Sequence, residues 1–496
     1  MFGGLKHIIE QIKNISKSID TYKKDTIIQS LPSLTYVNRS KKYIEQGDYL
    51  QAENILLEAL SLPQKDALVH KYLGLVYERT GKYNLAADNY QIAADLNPHD
   101  KNIWQRLGFT LLSLKKYEKA VKAFENANRI QAGNTDTFTG WGMALMKLKD
   151  YSEAREKFIQ AIKINKYNFS AMFLCSIMEI KLEMYDKAEN RLSFLANVCP
   201  NESNTFEYAR LKALKNNTDD AIHYAKKSLE YNPRMLPAYI LLGQLYTNIL
   251  DKENALKYFE KAEKQNLESA NLFIEWGKSL EKFEMYDDAK IKLLKACELE
   301  PNNMEANSHL GLCCVSRKEF EEAEPILQKV LEKDPENKVV KQALGIIAYE
   351  HQETDKAIQI FRADDEDAIN CFYLAKCYQR QGNDTKTRDY YEAALLHNNK
   401  YITAYVNYID YLMSKEDYAD AQRKLRKALK FEPKNADLLN LMFYVSYILV
   451  KDNIYEYNLK ETISMAEQIE NMGEDLFKYP EQKQELINLL QKRDKN

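Results

Sequence analysis

The chain has little glycine and proline, 15 and 11 residues among 496. Hydrophobic residues make up 45% and charged residues 29% of the sequence. This balance is typical of amphipathic helices that face water, and it disfavours both β-sandwiches and disordered chains. We therefore expect an all-α fold.

Neither sign of charge dominates, because 70 Lys and Arg face 73 Asp and Glu, for a net charge of −3. Proteins that bind nucleic acid gain much of their affinity from a basic surface, so we expect no nucleic-acid partner. Cysteine is also scarce, with seven residues and no CxxC spacing. Such cysteines indicate small apolar side chains in a reducing compartment rather than disulfides or a zinc site.

Long apolar runs and enzymatic motifs are missing as well. The first twenty residues lack the apolar segment and cleavage site of a secretory signal. The longest apolar tract, Leu438–Val450, is shorter than the ~20 residues of a membrane span. The patterns HExxH, GxSxG and GxGxxG do not occur, and Gly74 to Lys82 fails as a phosphate loop because Tyr83 replaces the magnesium-binding Ser or Thr. We expect a cytoplasmic chain that is not an enzyme, with no cofactor, metal, small-molecule substrate or membrane partner.

What the sequence does contain is a repeated unit of thirty-four residues, best seen in Ala67–Asp100. Its first half places apolar and small residues three and four apart, its middle holds Gly81-Lys82, and its second half repeats the same spacing before Asn97-Pro98. Spacings of three and four return to one face of an α-helix, and proline cannot continue a helix. The unit is thus a predicted helix-turn-helix.

Three columns keep this period through most of the chain. A small residue follows the Leu position of the first helix, at Ser40, Gly74, Gly108, Gly142, Gly243, Gly277, Gly311 and Gly345. A second-helix column is alanine in eleven of twelve repeats, and an aromatic or aliphatic residue follows it four positions later. We attribute the glycine column to a close crossing of the two helices, which a larger side chain would push apart.

Leu73-Gly74, Tyr77, Ala86, Tyr90 and Pro98 resemble the tetratricopeptide repeat family, whose pattern is Trp, Leu-Gly, Tyr, Ala, Phe and Pro. The resemblance implies a right-handed α-solenoid, or superhelix, of about twelve repeats over residues 33–435. It also implies a scaffold that binds a protein or peptide partner in a concave groove. Trp104, Trp141 and Trp276 fall on core columns of the first helices.

The repeat pattern is absent or weak at both ends of the chain and is shortened at one point within the array. Residues 1–32 form a predicted amphipathic helix that either caps the array or binds a membrane surface or partner. Residues 436–496 are predicted to be a degenerate repeat followed by a helical cap. Between Gly345 and Ala375 the period shortens to 30 residues. There we expect a change of pitch or a weak seam, with Asp367 capping the next helix.

The groove stripe is the line of residues at repeat positions 2, 5, 9 and 12, which line the groove in the resembled family. In repeats 3 to 7 this stripe is apolar, which indicates either an open interaction surface or packing between neighbouring first helices. The predicted partner-binding residues there are Phe109, Leu112, Met143, Met146, Phe173, Ile177, Ile180, Phe206 and Ile240.

Toward both ends the stripe becomes polar. Lys71 and Glu78 lie in repeat 2, and the predicted basic contacts to an acidic flank of a ligand are Lys278, Lys282, Lys376 and Arg380. The family's carboxylate clamp for chaperone tails is absent, since Leu75 occupies an asparagine place. We expect a scaffold for a protein or peptide partner; the alternative is a self-assembling subunit, such as a homodimer.

Overall fold

Helices form almost all of the described chain, and they are short because turn residues interrupt the apolar period at regular intervals. The computed structural model describes residues 33–63, 65–451, 459–473 and 476–493, and no β-strand occurs among them. The predicted all-α repeat fold is confirmed. Contacts divide the chain between Leu267 and Glu268 into an N-terminal body and a C-terminal body.

The N-terminal body contains seven pairs of helices in its described part. They are α1 (33–46), α2 (Tyr49–Leu60), α3 (Ala67–Arg79), α4 (Tyr83–Leu96), α5 (Lys101–Ser113), α6 (Tyr117–Ile130), α7 (Thr135–Lys147), α8 (Tyr151–Ile164), α9 (Phe169–Lys181), α10 (Tyr185–Val198), α11 (Glu202–Leu214), α12 (Thr218–Tyr231), α13 (Leu236–Asn248) and α14 (Lys252–Lys264).

The C-terminal body continues the same pattern. Its helices are α15 (Ala270–Lys282), α16 (Tyr286–Leu299), α17 (Met304–Ser316), α18 (Phe320–Lys333), α19 (Lys338–Glu350), α20 (Thr354–Phe361), α21 (Ala368–Arg380), α22 (Asp384–His397), α23 (Ile402–Ser414), α24 (Tyr418–Phe431), α25 (Ala436–Lys451), α26 (Leu459–Met472) and α27 (Pro480–Arg493). Repeats 1 to 12 are the hairpins from α1–α2 to α23–α24.

Each hairpin closes with the same C-cap geometry. In repeat 2 the Lys82 N–H donates to the Tyr77 carbonyl at 2.8 Å and the Gly81 N–H donates to the Glu78 carbonyl at 3.2 Å. This is a Schellman cap, which needs one residue in the left-handed region. The twelve residues with positive φ at these turns are Gly47, Gly81, Lys115, Lys149, Glu183, Asn216, Leu250, Glu284, Lys318, Gln352, Gly382 and Glu416.

The two helices of a hairpin cross at the glycine column. A Cβ atom built on Gly243 would lie 2.3 Å from the nearest ring carbon of Phe259, and one on Gly142 would lie 2.6 Å from Phe158. Phe259 and Phe158 are fully buried. The close crossing predicted from the sequence is therefore confirmed, with the aromatic ring sixteen residues later as the group that requires glycine.

A buried charge cluster links repeats 4 and 5. The Glu179 side chain on α9 has no exposed surface, and Nε atoms of Arg155 on α8 and Arg191 on α10 donate to its two oxygens at 3.1 and 3.0 Å. Two guanidinium groups thus compensate the desolvation of one carboxylate.

The outer face of the first repeat is polar. Positions 7 and 10 of the first helix are the buried Leu73 and Val76 in repeat 2, whereas in repeat 1 they are the exposed Arg39 and Lys42. A terminal repeat with a polar outer face can end an array by itself. The predicted helix over residues 1–32 lies outside the described residues.

At the other end, α25, α26 and α27 enclose a separate apolar cluster. Phe443, Ile469 and Leu486 are buried in it. The Asn440 amide donates to the Leu476 carbonyl at 2.9 Å and accepts from the Lys478 N–H at 3.0 Å. These contacts hold residues 476–478, which precede α27, against α25.

The shortened period falls in α20, which has only eight residues and is followed by a 3-10 turn at Arg362–Asp364. Asp367 then accepts hydrogen bonds from the N–H groups of Ile369 and Asn370, so the predicted N-cap is confirmed. The division between the two bodies lies elsewhere, after Leu267, where the period from Gly243 to Gly277 is intact.

Candidate functional site

A depression of about 430 Å³ lies on the groove stripe of repeats 2 and 3, between α3 and α5. It is lined by Lys71, Glu78, Asn102, Gln105, Arg106 and Phe109. The Phe109 side chain is 36% exposed. The depression thus combines hydrogen-bonding groups with one accessible aromatic ring.

Ion pairs hold the charged walls of this depression in place. Lys71 Nζ lies 2.6 Å from Asp100, and Arg106 Nη1 lies 3.2 Å from Glu78. The Tyr90 hydroxyl also donates to Glu78 at 2.7 Å. Burial and the neighbouring Glu78 carboxylate raise the pKa of Tyr90, which keeps this hydroxyl protonated as a donor.

Phe109 is positioned from below by aromatic packing. Its ring meets Phe124 edge to face, with centroids 5.0 Å apart. Gly140 on the next first helix leaves room for both rings, because a Cβ there would lie 2.5 Å from Phe124 and 2.9 Å from Phe109. A small residue in repeat 4 therefore shapes the depression in repeat 3.

The remaining apolar residues of the predicted stripe are less accessible. Leu112, Met143, Met146 and Ile177 are half-buried and pack against the core of repeats 1 to 5. Phe173 and Phe206 are also half-buried.

Ile180 and Ile240 are buried, with 6% and 7% of their surfaces exposed. These two side chains therefore offer little surface to a partner. The accessible part of the predicted apolar stripe is centred on Phe109.

The predicted basic residues lie in the C-terminal body and differ in their surroundings. Lys278 Nζ lies 2.8 Å from Glu275 and 3.0 Å from Glu305. Burial lowers the pKa of Lys278, but hydrogen bonds to these two carboxylates outweigh it and raise that pKa overall. Lys282 is exposed at the end of α15. Lys376 and Arg380 lie one turn apart on α21, against aromatic rings.

Sequence reasoning missed the polar side chains Asn102 and Gln105, although they occupy stripe positions 2 and 5 of repeat 3. It also missed Tyr349, Phe372 and Tyr373, which surround Lys376. Tyr349 and Phe372 occupy stripe positions 12 and 5, so reading the stripe beyond repeat 7 would have found them.

One group of metal-ligand types comes together in the described chain. Donor atoms of Cys314, Glu319 and Glu322 lie within 4.8 Å of one another. However, Lys290 Nζ lies 2.8 Å from Glu319 and 2.7 Å from Glu322. Because this ammonium already neutralises the carboxylates, we assign the group to an ion-pair network.

No helix among the described residues is long and apolar enough to cross a membrane.

Comparison with protein families finds tetratricopeptide repeats in most of the array. The family model for the N-terminal tetratricopeptide repeat region of Psidin matches residues 42–199. Two models described as tetratricopeptide repeat match residues 236–268, and residues 282–345 and 315–368. The matches cover both bodies.

Three solved structures show a measurable similarity to the chain. A tetratricopeptide repeat protein from Parabacteroides merdae shares 17% identity and a TM-score of 0.43, over 50% of this chain and 98% of that chain. The Cut9–Hcn1 hetero-tetramer of the APC/C shares 15% identity and a TM-score of 0.42, over 90% and 94% of the chains. PilF of Pseudomonas aeruginosa shares 20% identity and a TM-score of 0.37, over 42% and 95%. No curated protein matches the chain.

Proposed function

The chain is a multi-repeat tetratricopeptide repeat protein, and we propose that it is a scaffold that holds a protein or peptide partner on its groove stripe. Tetratricopeptide arrays generally serve as protein-interaction scaffolds. Presentation of a bound partner, rather than catalysis, is the role that we assign to this one.

The depression at repeats 2 and 3 carries the proposal. Five of its six lining residues occupy stripe positions, so the surface that the repeat register singles out coincides with a concavity. Its charges are paired within the wall, whereas Asn102 and Phe109 are exposed and Gln105 is half-buried, with its amide donating to Asn134 at 3.5 Å. Such a mixture suits an extended peptide, whose backbone needs donors and acceptors and whose apolar side chain needs an aromatic contact.

Crosslinked capture from native lysate tests this proposal with two matched variants. Phe109→Ser removes the exposed ring of the depression, and Leu85→Ser removes an apolar side chain of similar exposure, 46%, from the second helix of repeat 2. Circular dichroism and melting are measured for both, so that a folding defect is recognised.

We expect Phe109→Ser to lose specific partners that wild type and Leu85→Ser retain. If Phe109→Ser folds normally and captures the same partners as wild type, the depression is not the binding site. If Leu85→Ser alone loses them, the partner binds to the second helices instead.

Self-association is a second candidate, because apolar residues recur on the outward faces of α2 and α4. Leu50 and Leu57 are 67% and 44% exposed, and Leu85, Ile92 and Leu96 are similarly exposed. Contiguous apolar surface on a helix favours an interface. Sedimentation of wild type and a Leu57→Lys, Ile92→Lys variant tests it: a mass that rises with concentration only in wild type would support a homo-oligomer, and monomers in both would exclude it.

We place the chain in the cytoplasm. All seven cysteines are free, and five of them are buried. Burial raises the pKa of Cys371 and of Cys377, each to about 11. Unreactive thiols without disulfides suit a reducing compartment. Loss of solubility after expression in a reducing cytosol would count against this placement.

A further inference from the structure

Two basic side chains of the C-terminal body, one on the groove stripe and one next to it, form no ion pair with an acid. Lys376 and Arg380 occupy repeat positions 9 and 13 on α21, one helical turn apart. Within the residues that the structure describes, neither forms an ion pair. Like charges four residues apart on a helix repel each other, so this arrangement costs stability unless something else compensates it.

Aromatic rings hold both cations in place. The Lys376 ammonium lies 5.0, 5.4 and 5.8 Å from the ring centroids of Tyr349, Phe372 and Tyr373. The Arg380 guanidinium lies 3.5 Å above the Tyr349 ring, and its Nη1 donates to the Tyr349 carbonyl. Cation–π contacts orient a charge but do not neutralise it.

The pKa of Lys376 also indicates that its positive charge is not fully neutralised. Burial lowers the pKa of Lys376, and Arg380 lowers it further, while Glu350 opposes both. A half-buried ammonium with a depressed pKa is one whose charged form lacks compensation. Glu350 offsets part of the positive charge of Lys376 and Arg380. The summed charge of these three groups is therefore about +1 at neutral pH.

Two other lysines on the groove stripe are paired with acids. Lys71 lies 2.6 Å from Asp100, and Lys278 lies within 3.0 Å of both Glu275 and Glu305. Lys278 occupies the same repeat position as Lys376. Lys41, at the same position in repeat 1, instead lies 5.0 Å from the centroid of the Tyr72 ring, so pairing at this position differs between repeats.

We propose that Lys376 and Arg380 form an anion site that takes an Asp or Glu carboxylate of an acidic peptide. This inference rests on the proposed function, because the stripe must hold a peptide for the site to be used. A single carboxylate matches the local charge of about +1 better than a doubly charged phosphate does. A carboxylate can accept hydrogen bonds from the Arg380 guanidinium and the Lys376 ammonium at the same time, and its negative charge neutralises the excess positive charge.

The test selects peptides from a displayed random dodecapeptide library on the immobilised full chain. Three proteins are compared: wild type, a Lys376→Met, Arg380→Gln variant, and a Lys386→Met control. Lys386 lies on the second helix of the same repeat, 4.7 Å from the Tyr378 ring, so the control removes a lysine with the same kind of aromatic contact outside the stripe. Circular dichroism checks that all three are folded.

We expect wild type and the control to enrich peptides with Asp or Glu, and the double variant to lose that enrichment. A selected peptide, measured by fluorescence anisotropy, should bind the double variant at least about tenfold more weakly, the effect of losing a charge-assisted hydrogen bond. Replacing its Asp or Glu by Asn or Gln should weaken binding to wild type equally.

Equal acidic enrichment by wild type and the double variant would overturn the site, as would enriched peptides without acids. Tighter binding of a phosphoserine version would overturn the assignment to a carboxylate. A library that yields no enriched peptide on wild type would instead count against the proposed function, so the two failures are distinguishable.

Discussion

Gly243→Ala should destabilise repeat 7, because the added methyl group meets the ring of Phe259. The new Cβ would lie 2.3, 2.5 and 2.7 Å from three ring carbons. Non-bonded carbon atoms pack best at about 3.5–4.0 Å, so the ring or the helix must move by roughly 1 Å. Phe259 has no exposed surface and therefore no open side toward which to move.

Two opposing effects set the size of the loss. Overpacking of a core costs about 1–3 kcal/mol, and alanine gains about 1 kcal/mol over glycine inside a helix. The net expectation is a loss of about 0–2 kcal/mol. Repeat 11 has Ala375 in the same column opposite Tyr391, so a hairpin of this array can accommodate alanine where its two helices cross. This favours the lower end of that range.

A second substitution separates the clash from other effects. Gly277 in repeat 8 faces Leu293, whose flexible side chain occupies the place of the ring. Phe259→Leu should therefore relieve the clash, and the double variant Gly243→Ala, Phe259→Leu should lose less than the sum of the single losses, by about 1 kcal/mol.

The assay is urea unfolding followed by circular dichroism, with hydrogen exchange over α13 and α14 to localise the effect. Local exchange is needed because a long array does not unfold in a single two-state step. If Gly243→Ala stabilises the chain, or if the two substitutions are additive, the close crossing does not explain the glycine column.

Leu250 has a φ of 61°, a left-handed backbone conformation that is unfavourable for residues with a Cβ atom. Leu250→Gly should therefore stabilise repeat 7 by about 0.5–1 kcal/mol in urea unfolding, and any loss of stability would contradict this. Glu179→Met should cost about 3 kcal/mol, because it removes the buried carboxylate that both arginines share and leaves Arg155 only its ion pair with Glu156; a loss below about 1 kcal/mol would show that the arginines find other partners. Burial raises the pKa of Cys175 to about 12, so its thiolate is rare at pH 8 and iodoacetamide should modify it far more slowly in the native chain than in urea; equal rates by mass spectrometry would disprove its burial. Deleting residues 1–32 should leave the melting temperature nearly unchanged, because the outer face of α1 is already polar, and a large drop would restore the predicted cap.

The hairpins could be predicted from the sequence because their determinants are local. The period, the alanine column and the glycine opposite an aromatic residue each repeat within thirty-four residues. The turn conformation was predictable at Gly81, but nine of the twelve left-handed turn residues are not glycine. At those positions the helices on both sides impose the conformation, which no residue preference indicates.

Tertiary contacts explain what the sequence could not show. Glu179 occupies a column that is mostly apolar, and its arginine partners come from α8 and α10. At the candidate site, the stripe register placed Phe109, Lys71 and Glu78 on one line of the array, and these three residues line one depression. It could not distinguish the exposed Phe109 from the buried Ile240, because exposure depends on how closely adjacent first helices pack.

The central claim is that a partner lies on the groove stripe, and photocrosslinking in native lysate tests it most directly. Benzoylphenylalanine is placed at Phe109 in one protein and at Leu85 in another, because both side chains are partly exposed and lie on different helices of adjacent repeats. The account predicts a discrete crosslinked partner from position 109 and none from position 85. Crosslinks from position 85 alone would contradict it.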